Sequence, residues 1–313
     1  MDNKKVCVVG IGGIGGYIGC MLANNFDNTY FFARGKRLES IRKNGLKLCS
    51  DVHGEIIVHP KMASDNAVEL GVMDYIFLCV KHFSLEQVCA QISPMINEDT
   101  IIIPLLNGVG VSDEIRRLIG KGSVIDGLVY ITSGADENFV IHHTSSYCNI
   151  HIGYEAKNKF EDSILSEVQN LLQSAEITCV IEKDIKAAIW KKYILNCAFN
   201  IITAYYNGTT ADIRKNETAI LQMKSLLEEA CRVARRLKIN IADNLEEVHF
   251  NHIMYNQSEL ATSSLKRDIA AGRQNELEVF SGKLLELAAN CEMKIPTTEF
   301  FYKELKKKCA CIL

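Results

Sequence analysis

Two regimes of apolar patterning divide this chain. From residue 1 to about 182, short β-type runs alternate with helical spacing, with candidate strands at 5–9, 29–33, 56–59, 75–80, 100–104, 123–131, 138–144 and 147–152. Such alternation predicts an α/β fold built on a doubly wound sheet. The stretch 123–153 holds three strand-like runs with no helix between them, which predicts an antiparallel extension of that sheet. From about 183 onward the apolar residues recur at helical spacing, in Asp184–Tyr205, Asn216–Leu237, Asn244–Asn256, Ser263–Asn290 and Thr297–Lys307. The chain therefore reads as an α/β domain over 1–182 followed by an all-α domain over 183–313.

The first strand carries the most specific local signal. Val6-Cys7-Val8-Val9 runs into Gly10-Ile11-Gly12-Gly13-Ile14-Gly15, followed by an apolar stretch from Tyr17 to Leu22. Strand, glycine turn and helix follow in that order, and Gly10, Gly12 and Gly15 fit G-x-G-x-x-G. The first glycine makes the turn, the second lets the backbone approach a pyrophosphate, and the third lets helix and strand pack closely. Unpaired N–H groups at the helix start suit phosphate oxygens. This is the turn of a Rossmann-type, dinucleotide-binding domain. The second strand, Thr29 to Ala33, ends at Arg34, where NAD sites place an acidic residue against the ribose 2′-hydroxyl. An arginine there favours the 2′-phosphate of NADP(H), against the plainer reading of a solvated basic loop.

Ligands of open α/β sheets bind beyond the carboxyl ends of the strands. The strand at 75–80 ends in Lys81-His82 and the strand at 100–104 leads to Leu105-Leu106-Asn107-Gly108. Lys81 could neutralise a substrate carboxylate or hold a ribose hydroxyl, and Asn107 could serve cofactor or substrate. A surface lysine and an Asn-Gly turn are the plain alternatives. In the helical half, Ile189 to Ile202 is apolar on nearly all sides past Lys192, yet Lys192, Asn196 and Asn200 share one face at i, i+4 and i+8. Buried amides without partners are costly, so this stripe faces either polar neighbours or water. A desolvated lysine at its head suits a general acid. Further on, Thr262-Ser263-Ser264 leads through Asp268 to Asn275-Glu276. Ser263 or Ser264 could cap a helix, or a hydroxyl here could bind substrate. On one straight helix Ser264 and Glu276 would stand roughly 18 Å apart.

Composition adds mainly exclusions. The 313 residues carry a net charge of −3, 48% hydrophobic residues and 23% charged residues. That balance calls for neither nucleic acid nor an anionic membrane. The longest apolar runs are too short to span a bilayer, and residues 2–5 are polar, unlike a signal peptide. Of the 12 cysteines, Cys7, Cys79, Cys197 and Cys231 fall inside predicted elements, as small buried thiols do in a reducing cytoplasm. No C-x-x-C occurs and no metal site is expected. The tail Cys309-Ala310-Cys311-Ile312-Leu313 has Ala310 where a prenylation box needs cysteine. No heptad or apolar patch marks an interface, so a homodimer stays open.

Together these motifs resemble the ketopantoate reductase family (2-dehydropantoate 2-reductase) over nearly the whole chain. The resemblance rests on the glycine turn, Arg34, Val80-Lys81, Asn107-Gly108, Trp190-Lys191-Lys192 with Asn196 and Asn200, and Thr262-Ser263-Ser264 through Asp268 to Asn275-Glu276. It implies NADPH-dependent reduction of 2-dehydropantoate to pantoate, on the route to pantothenate and coenzyme A. It further implies that Lys192 protonates the ketone oxygen, that Asn196 and Asn200 hold the substrate's hydroxyl end, and that Ser264 binds its carboxylate. Glu276 would order cofactor and lysine, Asn107 would position cofactor and substrate, Lys81 would contact the cofactor, and Arg34 would take the 2′-phosphate. The family often carries glutamine before the Asn-Gly pair, where this chain has Leu106. That departure concerns the fine structure of the nicotinamide pocket, not the class. A reductase of another branched or hydroxylated 2-keto acid, or a non-catalytic NADP-binding protein, are the alternative readings.

Overall fold

The computed structural model describes residues 3–154 and 159–310, with side chains in the second stretch from 162 onward. The last three residues of the cysteine-containing tail thus lie outside the described residues. Two compact units divide the chain, Met1–Ile185 and Lys186–Leu313. The strands, all in the first unit, are β1 (Val6–Val9), β2 (Thr29–Phe32), β3 (Leu46–Ser50), β4 (Gly54–Val58), β5 (Met62–Ser64), β6 (Tyr75–Leu78), β7 (Ile101–Pro104), β8 (Ser123–Val124), β9 (Asp126–Ala135), β10 (Ile141–Gly153) and β11 (Thr178–Ile181).

Six strands form one sheet in the order β5-β2-β1-β6-β7-β8, every neighbouring pair parallel. This is the doubly wound dinucleotide-fold order, with the direction of winding reversing between β1 and β6. The continuous apolar runs follow from burial on both faces. Val6, Val8, Phe31, Phe77 and Ile103 feed one core, whereas Cys7, Val9, Phe32, Ile76 and Ile102 feed the other. The helix Gly13–Asn25 is buried nearly all round, from Gly15 to Leu22, because a second sheet covers its far side.

That second sheet corrects one expectation. The runs at 123–153 do not extend the first sheet as antiparallel strands. β8 completes the parallel sheet, while β9 and β10 form an antiparallel pair in a separate five-stranded sheet. β10 pairs in parallel with β3 near its start and with β11 near its end. The two runs at 138–144 and 147–152 merge into this one strand, with an irregularity between His143 and Cys148. The strands β3, β5 and β11 carry three to five residues each, too few for periodicity to declare them; tertiary pairing supplies what local pattern lacks.

The second unit is helical. Its main helices are Ile185–Tyr206, Glu217–Arg236, Leu245–Asn251 and Pro296–Ala310. Asn216 caps the second through Ala219 N at 3.0 Å. The buried Glu229 carboxylate caps the last, accepting from Thr297 N, Thr298 N and Thr298 Oγ1 at 2.7–2.8 Å. The expected single helix from Ser263 to Asn290 is instead broken. Ser264–Ala270 ends at Gly272, which adopts φ +62°, and the chain re-enters through a π-turn at Glu278–Gly282 before Lys283–Asn290. Arg273 closes the break by a two-pronged bond to Asp268 Oδ1 at 2.9 and 3.1 Å. The straight-helix separation of Ser264 and Glu276 therefore does not apply.

Candidate active site

In the first unit, the turn after β1 has the geometry that pyrophosphate binding requires. Gly10 sits at φ +90°, in the region that favours glycine. A Cβ on Gly15 would lie 2.0 Å from the Gly10 carbonyl oxygen, so that crossing demands bare backbone. A Cβ on Gly12 would meet nothing within 4 Å. Gly12 also starts the helix Gly13–Asn25 with no side-chain cap. The helix therefore presents uncapped N–H groups beside open space, which fits a dinucleotide phosphate. Ile11 is buried, while Gly13 backs onto the Ser133 carbonyl of β9. Gly13 thus serves the packing of turn on strand, and Ile14 packs against the core from a partly buried position.

Arg34 is exposed and begins the helix Gly35–Asn44, directly beyond β2. An exposed guanidinium at that end suits a phosphate monoester. Lys81 and Asn107 are partly buried and follow β6 and β7, the strands on the far side of the switch point. The Lys81 carbonyl accepts from Ser84 N at 3.0 Å, which shapes the turn at His82–Ser84. His82 pairs with Glu114 at 3.0 Å, as a loop histidine would. Leu106 is 7% exposed and belongs to the apolar core of its sheet face. The position before Asn107 is thus a packing position in this chain.

In the second unit, the helix Ile185–Tyr206 carries Lys192, Asn196 and Asn200. Trp190, Tyr193, Cys197 and Ile201 are buried around them. Asn200 is only 6% exposed, whereas Lys192 and Asn196 are partly buried. Neither the Asn196 nor the Asn200 amide hydrogen-bonds another described residue. A nearly buried amide without a partner is a group kept available for a ligand.

Burial brings the Lys192 ammonium down to about 8 from 10.5, and the charge of Glu276 opposes part of that fall. Glu276 is 3% exposed. Lysine and glutamate are far apart in sequence, and the break after Gly272 lets the chain return to this helix. Two contacts hold it there. Tyr193 Oη donates to the Val279 and Phe280 carbonyls, at 3.1 and 2.9 Å, and Cys197 Sγ lies 3.5 Å from the Phe280 carbonyl. The Phe280 carbonyl also accepts from Lys283 N within the turn, and π-turns recur at functional sites.

Of the two serines, Ser263 is the cap. Its Oγ accepts from Lys266 N at 3.0 Å and lies 2.8 Å from Thr203 Oγ1. It also reaches the Asn200 carbonyl at 3.4 Å. Ser264 is partly buried, and its hydroxyl bonds no described residue. Capping by Ser263 thus fixes Ser264 beside the helix turn that carries Asn200 and leaves its hydroxyl available. The sequence reading missed Tyr193 and Cys197 as supports of this cluster. A tyrosine beside the lysine in a buried helix was the only available signal.

Among the described residues, no group of three or more His, Cys, Asp or Glu side chains is placed to hold a metal ion. None of the described helices is long and apolar enough to cross a membrane.

Comparison with known proteins bears on both units. The family described as Ketopantoate reductase PanE/ApbA matches residues 6–157, and its C-terminal counterpart matches residues 184–309. An uncharacterized oxidoreductase, YkpB of Bacillus subtilis, is 30% identical over 96% of this chain and 98% of its own length. The 2-dehydropantoate 2-reductase of Mesorhizobium japonicum is 27% identical over 94% of each chain. The solved structure of 2-dehydropantoate 2-reductase from Porphyromonas gingivalis is 26% identical, with a TM-score of 0.80 over 96% of this chain and 99% of that one.

Proposed function

The chain belongs to the ketopantoate reductase family, and on that premise we propose that it reduces 2-dehydropantoate to (R)-pantoate with NADPH, in the cytoplasm, on the route to pantothenate and coenzyme A. Members of this family are NAD(P)-dependent oxidoreductases, and the fold described here is theirs. The observation that carries the reading is the set of Lys192 and Asn196, partly buried, with Glu276 and Asn200, buried: an acid with lowered proton affinity on the same helix as amides that bond no other described residue.

When bound, the reduced nicotinamide supplies the hydride. The residues that would hold it are the turn Gly10–Gly15, with Arg34 on the 2′-phosphate, Lys81 on the cofactor and Asn107 on cofactor and substrate. Hydride arrival at a ketone carbon builds negative charge on oxygen. Lys192 Nζ offers a positive charge to that oxygen and then gives it a proton. Glu276 keeps the amine protonated at neutral pH against the desolvation that would neutralise it. Asn196 and Asn200 present amide donors and acceptors to a substrate hydroxyl, and the Ser264 hydroxyl donates to the carboxylate.

The test is oxidation of NADPH by the purified protein, followed by nicotinamide absorbance. Ketopantoate is compared with 2-ketoisovalerate, pyruvate and oxaloacetate, and NADPH with NADH. Fast turnover of ketopantoate with NADPH supports the proposal. Preference for another keto acid supports a sister specificity, for which the apolar Leu106 is the departure on hand. Cofactor binding without turnover of any keto acid overturns the enzymatic reading.

A further inference from the structure

The contact between the lysine helix and the π-turn has a role beyond packing. Tyr193 is buried, its ring set edge-on to Trp190 with centroids 5.6 Å apart. Its hydroxyl meets the carbonyls of Val279 and Phe280 at 3.1 and 2.9 Å. The N–H groups of those same two residues donate to the Glu276 carbonyl, at 3.0 and 3.3 Å. A chain of hydrogen bonds thus runs from Tyr193 Oη to the backbone of Glu276, and Tyr193 adjoins Lys192 in the helix. The Asn275 Oδ1 bond to Leu277 N, at 3.2 Å, stiffens the same turn from within.

We propose that Tyr193 is a positioning residue, its buried hydroxyl fixing the 276–282 turn against the helix so that the Glu276 carboxylate stays aligned with Lys192. The inference rests on the reading of Lys192 as the proton donor. An isolated structural tyrosine would affect only stability. A positioning tyrosine also sets the charge environment of its neighbour, because Coulomb interaction in a partly desolvated site varies steeply with separation. Among the described residues, the charge that acts on Lys192 is that of Glu276 from the turn, and the neutral Asn196 follows one helical turn on. Lys191, next in sequence, is exposed, and its carbonyl is engaged by His249 Nε2 at 2.9 Å.

Tyr193→Phe keeps the ring and removes the hydroxyl. Losing the tie lets Glu276 recede, so the ammonium loses a countercharge and gives up its proton at lower pH. The alkaline limb of keto-acid reduction is expected to move down by about half a pH unit or more, a shift on the scale of one weakened ionic contact. Glu276→Gln alone shifts the limb in the same direction by more. The double variant should equal Glu276→Gln, since the tyrosine acts through the glutamate. Cys197→Ala, which removes the second side-chain contact to the Phe280 carbonyl, should give a smaller shift of the same sign. It serves as the variant to read if Tyr193→Phe does not fold. Titration of Lys192 by side-chain NMR of ¹³C-labelled lysine, assigned through Lys192→Met, reads the same quantity without turnover. An unmoved Lys192 titration in the folded variants, or additive shifts in the double variant, overturns the positioning role. A moved titration in a protein whose turnover survives Lys192→Met overturns the proton-donor reading instead and leaves the positioning intact.

Discussion

Turnover of this protein should fall on the alkaline side at an unusually low pH for a lysine. The ammonium of Lys192 is brought from 10.5 to about 8 by burial, with Glu276 restraining the fall. At about 1.36 kcal/mol per unit, this is roughly 3 kcal/mol of preference for the neutral amine. The proton donor must be charged before it acts, so activity is complete below this pKa and lost as pH rises through it. With a pKa of about 8, about nine-tenths of the lysine is protonated at pH 7 and about one-tenth at pH 9. An ordinary lysine would still be almost wholly protonated at pH 9. The assay is kcat/KM for the keto acid across the pH range at saturating NADPH, which reports the groups of the enzyme before the keto acid binds. A tenfold fall per unit above pH 8 is expected, moved to lower pH in Glu276→Gln. Lys192→Ala should remove about 10² or more of the rate at neutral pH with NADPH still bound. A profile flat to pH 10, or unchanged turnover in Lys192→Ala, would refute the assignment.

Three further outcomes follow from the geometry. Arg34→Ala should weaken NADPH by about tenfold or more, the size of one charged hydrogen-bonded contact, and leave NADH nearly untouched; equal losses in fluorescence titrations would mean that the guanidinium does not read the 2′-phosphate. Asn200→Leu should raise KM for the keto acid while the melting temperature holds or rises, because the wild-type amide bonds no described residue and a similar-sized apolar side chain avoids its desolvation. A loss of stability with unchanged KM would make that amide structural. Glu229→Ala removes three hydrogen bonds at the start of the last helix and should cost about 2–4 kcal/mol in denaturant unfolding, since each contact to a charged group is worth about 1.5–3 kcal/mol and part is recovered by water. A cost under about 0.5 kcal/mol would show that the cap is redundant.

What the sequence determined by itself is what short-range physics encodes. Gly10–Gly15 is a local turn whose meaning lies in sterics within a few residues, and the helix N-terminus follows in the same segment. The i, i+4, i+8 stripe of Lys192, Asn196 and Asn200 is fixed by helical pitch alone. The parallel sheet was legible because burial on both faces writes continuous apolar runs such as Val6–Val9 and Tyr75–Leu78. Tertiary structure decided the rest. Strands as short as Met62–Ser64 carry no period of their own and exist because a neighbour pairs with them. The run at 123–131 reads as one strand in sequence, yet β8 closes the first sheet while β9 joins β10 in the second, since partner choice depends on chain segments far away. The apolar spacing from Ser263 to Asn290 continues across a helix break that Gly272 and the Asp268–Arg273 pair impose. Only that break returns Glu276 to Lys192. The lysine's lowered proton affinity belongs to neither residue's local sequence; it comes from the water excluded around Lys192 in the folded chain, and the countercharge of Glu276 opposes part of the fall.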